Sequence, residues 1–124
     1  MICLGIEGTA HTIAVSIVTE KKEILSDVRA MYTNEKTGII PKDAAKHMDG
    51  KKDSVLKEAL AQANLSFEDI DLIAFSQGPG LAPSLLVTLK FAKELAIKYK
   101  KPLVGVNHLA AHLCSGSMFC PVKD

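Results

Sequence analysis

The chain has 124 residues, enough for one core that removes roughly two-thirds of the unfolded surface from water. With 48% hydrophobic and 23% charged residues and a net charge of +1, it is neither a disordered tail nor a strongly basic nucleic-acid binder. No apolar run approaches the roughly 18–20 residues that span a bilayer, and the three cysteines Cys3, Cys114 and Cys120 show no disulfide-like spacing. The expectation is an α/β domain of a reducing compartment, cytoplasmic, with no membrane association and, since Met1–Ala10 already alternates like a strand and includes Glu7, no signal peptide.

Met1 to Gly8 predicts a buried strand with Ile2, Leu4 and Ile6 on one face. Glu7-Gly8-Thr9-Ala10-His11 forms a small polar turn, and the β-branched run Thr12 to Thr19 predicts a second strand. After the charged turn Glu20-Lys21-Lys22-Glu23, Ile24 to Thr33 returns as a third, so the three make an antiparallel meander. Residues 33–40 are expected as a loop. Pro41 opens a helix whose stripe Ala44, Ala45, Met48, Val55, Leu56, Ala59, Leu60 and Ala63 runs to about Ala63, with a bend or close contact expected at Gly50.

Asp71 to Phe75 predicts a short buried strand, Ser76 to Gly80 a loop, and Pro83 to Tyr99 a helix with Leu85, Leu86, Leu89, Ala92, Leu95 and Ala96 at helical spacing. Pro102 to Val106 is the last strand, and the segment from Asn107 begins a third helix. The order β-β-β-α-β-α-β-α implies one mixed five-stranded sheet covered by helices.

His108 and His112 stand four apart, so a helix projects both rings from one side and the pair can chelate one metal. Leu109-Ala110-Ala111 between them offers no glutamate, which excludes the His-Glu-x-x-His protease. Imidazole ligands suit iron, zinc or manganese. Cys114 and Cys120, six apart, do not match a zinc knuckle and are expected as ordinary thiols. The turn at Glu7-Gly8-Thr9 has the composition to aim backbone N–H groups at a phosphate, with an acid beside it; the plain alternative is a hairpin turn. Ser76-Gln77-Gly78-Pro79-Gly80-Leu81-Ala82-Pro83-Ser84 lacks the Gly-Lys-Ser/Thr ending of a P-loop, and Ser84 is expected to help cap the helix. His47 is expected half-exposed on the first helix, and the lysine pairs 21/22, 51/52 and 100/101 as solvated turns and helix ends.

Taken together, Gly5-Ile6-Glu7-Gly8-Thr9-Ala10-His11-Thr12, Ser76-Gln77-Gly78-Pro79-Gly80-Leu81 and Gly105-Val106-Asn107-His108 with His112 resemble the universal tRNA threonylcarbamoyltransferase family in its archaeal form. This is the catalytic subunit of the KEOPS complex, once described as an O-sialoglycoprotein endopeptidase. Pro41 to His47 is similar to that family's first-helix signature. The resemblance implies an actin-like ATPase (sugar kinase/Hsp70/actin, ribonuclease H-like) fold, of which residues 1–124 form the amino-terminal lobe. It implies transfer of a threonylcarbamoyl group from an ATP-derived adenylate donor to the adenosine 3′ of the tRNA anticodon. By the same resemblance, His108 and His112 are ligands of one divalent metal ion, iron foremost, with zinc or magnesium as alternatives. Glu7 and His11 would be catalytic, and Gly8 and Thr9 would line the donor.

Three positions depart from the family pattern: Met48 where a second histidine is usual, Ala82 where glycine is usual, and Leu86 where arginine is common. The family's second lobe supplies a tyrosine, an aspartate and a Ser-Gly-Gly-Asn-Thr phosphate loop, all beyond Asp124. The chain alone is therefore expected to bind metal weakly and to lack transferase activity. Its expected partners are tRNA, the second lobe, and the kinase and small dimerisation subunits of KEOPS. The alternative is a non-catalytic dimerisation module of the same modification complex, presenting helices 41–63 and 83–99; retained His108 and His112 speak against it. A small-molecule kinase of the same superfamily ranks third, because such kinases place aspartate near Glu7 and do not need the histidine pair.

Overall fold

The computed structural model of the chain describes residues 1–33, 36, 38 and 40–119, with backbone alone for 115–119. Cys120 and residues 34, 35, 37 and 39 of the expected loop lie outside the described residues. Five strands, β1 (Ile2–Glu7), β2 (Thr12–Thr19), β3 (Ile24–Met31), β4 (Leu72–Gly78) and β5 (Leu103–Asn107), form one sheet in the order β3-β2-β1-β4-β5. The first three pair antiparallel, whereas β4 joins β1 and β5 joins β4 in parallel. The helices are α1 (Pro41–Ala63), α2 (Ala82–Tyr99) and α3 (His108–Phe119), with a single 3₁₀ turn at Phe67–Asp69. This is the expected element order and the expected mixed sheet.

Alternation along the strands sorts their side chains to two faces. Leu4, Ile6, Ile13, Val15, Ile17, Val28, Ile73 and Phe75 turn toward α1 and α2 and make the core with Met48, Val55, Phe91 and Leu95. The other face carries Glu7, Thr12, Ala14, Ser16, Val18, Asp27, Arg29 and Met31, and α3 stands beside it. Among the described residues, no helix is long and apolar enough to cross a membrane.

Four expectations need correction. Strand β4 runs to Gly78, three residues beyond Phe75, because Ser76 and Gly78 continue the parallel ladder to Val106 and Asn107. Helix α1 passes through Gly50 without a break, and a methyl group there would meet nothing within 4 Å, so no close contact explains that glycine. Helix α2 buries Ala92 and Leu95 of the expected stripe but joins them with Ser84, Thr88 and Phe91, while Leu86 is 66% and Leu89 37% exposed. Ser84 does not cap α2. The N-cap is Leu81, and the Ser84 hydroxyl donates instead to the carbonyl of Ala10.

Candidate metal and donor site

The site begins with a hairpin locked to a helix. Gly8 donates its N–H to Ser76 Oγ at 3.2 Å and its carbonyl accepts the Thr88 hydroxyl at 2.9 Å. Thr9 donates its N–H to Glu7 Oε1 at 2.8 Å, adds its hydroxyl to the same oxygen, and accepts the Leu81 N–H at 2.6 Å. The N–H groups of Gly8 and Thr9 are therefore donated within the chain and do not form a phosphate cradle. A side chain on Gly8 would collide with Thr88 and come within 2.6 Å of Met48 Cε. Gly80 approaches Thr9 just as closely, with a built Cβ 2.7 Å from that residue's Cβ. These two glycines let the β1–β2 turn seat against β4 and α2, which fixes Glu7 at the end of β1.

The histidines reach the same face from the edge strand β5. Strand β5 pairs beside β4, and α3 starts at His108 directly after Asn107, whose side-chain oxygen accepts the Ala110 N–H at 3.0 Å and steadies the first turn. One helical turn brings His108 Nε2 and His112 Nε2 to 3.1 Å, the rings nearly perpendicular at 88°. Two nitrogens each about 2.0–2.1 Å from one ion, at right-angled to tetrahedral spacing, stand about 2.9–3.4 Å apart, so the pair fits a shared metal. Glu7 Oε1 faces His108 Nδ1 at 3.5 Å. Among the described residues, no group of three or more His, Cys, Asp or Glu side chains could hold an ion.

Around the pair the face of the sheet opens into a groove of about 650 Å³ lined by Glu7, His108, His112 and the outward side chains of β2 and β3. A second, mostly apolar cavity of about 230 Å³ lies between α3 and the central strands, walled by Gly5, Ala14, Ala74 and Ala111. His108 and Glu7 border both. His11 lines neither; it closes the hairpin, its carbonyl accepting the Tyr32 N–H at 2.9 Å. Gly8 and Thr9 are buried beneath the turn. The structure thus brings Glu7, His108 and His112 together and leaves His11 apart from them. Ser76, Ser84 and Thr88, which hold the hairpin, carry no signal in the sequence beyond hydroxyls among apolar neighbours.

The model of the tRNA N6-adenosine threonylcarbamoyltransferase family matches residues 23–123. A tRNA N6-adenosine threonylcarbamoyltransferase of Thermococcus gammatolerans is 55% identical over all 124 residues, which make up 38% of that protein. A probable bifunctional tRNA threonylcarbamoyladenosine biosynthesis protein of Methanocaldococcus jannaschii is 46% identical over the whole chain, 23% of its own length. Among solved structures, YeaZ from Pseudomonas aeruginosa superposes with a TM-score of 0.71 at 16% identity, covering 98% of this chain and 50% of that one. Thermus thermophilus RuvC, solved with a Holliday junction substrate, superposes at 0.58 with 15% identity over 88% of this chain and 66% of its own. These likenesses establish the actin-like, ribonuclease H-like fold. By sequence, the chain belongs to the tRNA N6-adenosine threonylcarbamoyltransferase family.

Proposed function

We propose that the chain is the amino-terminal lobe of an enzyme that moves a threonylcarbamoyl group from threonylcarbamoyl-adenylate to the exocyclic amine of the adenosine 3′ of the tRNA anticodon. The observation that carries this is the convergence of His108 and His112 at 3.1 Å on a groove of about 650 Å³. In the transfer, the amine nitrogen bonds to the carbamoyl carbon while the bond from that carbon to the adenylate phosphate oxygen breaks, releasing AMP and one proton. His108 and His112 would hold one divalent ion, iron or zinc in preference to magnesium because both donors are imidazole nitrogens. When bound, that ion supplies Lewis-acid stabilisation of the charge that develops on the reacting group. Glu7 borders the donor from the end of β1; His11 is the second candidate of the same hairpin, tested by its own substitution. Gly8 and Thr9 contribute by shaping the turn under the donor.

The chain spans 38% of the length of its Thermococcus relative, and we assign the other wall of the cleft to the remaining length. With near-neutral net charge, tRNA binding also draws on other surfaces, which we assign to the second lobe and the KEOPS kinase and dimerisation subunits, in the cytoplasm. A reading as a non-catalytic dimerisation module is favoured by one observation. Helix α2 leaves Leu86, Leu89 and Ile97 exposed along one side.

The test is reconstitution: this chain, the remaining length of the Thermococcus relative supplied as a second polypeptide, tRNA and threonylcarbamoyl-adenylate. Modified nucleoside is measured by mass spectrometry. Product is expected with the unaltered chain and a loss of at least about 100-fold with His108→Ala or His112→Ala. Association of the two polypeptides without any product supports the module instead.

A further inference from the structure

We infer that Glu7 is a positioning residue for the histidine pair: its carboxylate takes the Nδ1–H of His108 and so leaves that ring's Nε2 lone pair facing His112. The inference rests on the metal-holding role proposed for the pair. Glu7 ends β1 and His108 opens α3 after β5, two strands away, so 101 positions of sequence separate side chains that the sheet sets 3.5 Å apart. The carboxylate is not loose. The Thr9 N–H and hydroxyl both donate to Oε1, the oxygen that faces His108 Nδ1. The separation exceeds the N–H···O optimum of about 2.9 Å by about half an ångström, so the two groups face each other at the outer edge of hydrogen-bond reach.

The proton count allows one arrangement of neutral rings. An ionised carboxylate only accepts, so it meets His108 favourably when the proton sits on Nδ1. The two Nε2 atoms at 3.1 Å need one proton between them. With the His108 proton on Nδ1, that bridging proton belongs to His112 Nε2. The opposite assignment, His108 Nε2–H toward His112, would turn the Nδ1 lone pair onto the carboxylate. The direction is therefore fixed, from His112 through His108 to Glu7. His108 presents a bare lone pair where the pair converges, and a carboxylate behind an imidazole strengthens it as a donor.

The experiment reads tautomers directly in the whole 124-residue chain. Long-range ¹H–¹⁵N spectra of ¹⁵N-histidine protein, recorded metal-free, assign the proton on each ring. Expected are Nδ1–H for His108 and Nε2–H for His112. Glu7→Ala should return His108 toward the Nε2–H form of a solvated histidine, and should weaken cobalt(II) or zinc(II) affinity about 10–100-fold. Thr9→Ala loosens the same turn while keeping the carboxylate, and should leave His108 as Nδ1–H. An Nε2–H tautomer in the unaltered protein overturns the inference, and so does a tautomer unchanged by Glu7→Ala. If Glu7→Ala does not fold, the unaltered and Thr9→Ala spectra decide alone. Absence of saturable metal binding in the unaltered chain, with the tautomers as expected, rejects the metal reading but not the role of Glu7.

Discussion

At Gly8 the turn has no room for a side chain. A methyl group there would strike the Thr88 hydroxyl and crowd Met48 Cε at 2.6 Å, both buried. Gly8→Ala is expected to cost about 1–3 kcal/mol by overpacking, read as a lower denaturation midpoint with an unchanged slope. Met48 is thus a packing residue that fills the space under the hairpin. Cys3 makes a second residue-level case. Burial raises its thiol pKa, and a backbone hydrogen bond from Ala74 offsets part of that. The folded chain then holds the Cys3 proton to higher pH than the unfolded chain does. The stability this contributes is whole below the ordinary thiol value and is lost as pH rises through the folded value. Cys3→Ala should flatten the alkaline limb of stability against pH, measured by denaturant melts. In the unaltered protein, peptide-resolved alkylation should label the exposed Cys114 before Cys3.

At the scale of elements, both long helices end on a residue in the left-handed region, Asn64 at φ 55° and Lys100 at φ 54°. Asparagine tolerates that geometry, but lysine pays for its Cβ there. Lys100→Gly should therefore raise stability by about 1 kcal/mol, visible in the same melts. The elements also show what was legible before folding. The β-branched run marked β2 from Thr12 to Thr19 and Pro41 marked the start of α1, because both signals are local. The inward face of α2 was legible only in its second half, where Ala92 and Leu95 are buried as expected. Leucine periodicity favoured Leu86 and Leu89, but Thr88 and Ser84 find carbonyl acceptors at Gly8 and Ala10, and those contacts lie 80 and 74 positions away. Strand β4 was underestimated for the same reason, since its last residues are held by β5 rather than by their own propensity.

At the scale of the whole molecule, a sheet covered by α1 and α2 on one face offers its other face to chemistry. The histidine pair was legible because spacing by four needs only a helix. Its neighbour Glu7 was legible only as a member of a turn; that it meets His108 depends on strand order, which places β1 and β5 on either side of β4. The account stands on that pair acting as one ligand unit for a metal. The most direct measurement is an anaerobic titration of the whole chain with iron(II) and with zinc(II), counting ions bound per chain. The account predicts weak, saturable binding of one ion per chain, abolished by His108→Ala and by His112→Ala separately. Binding that survives the double substitution, or no saturable binding at all, would contradict it.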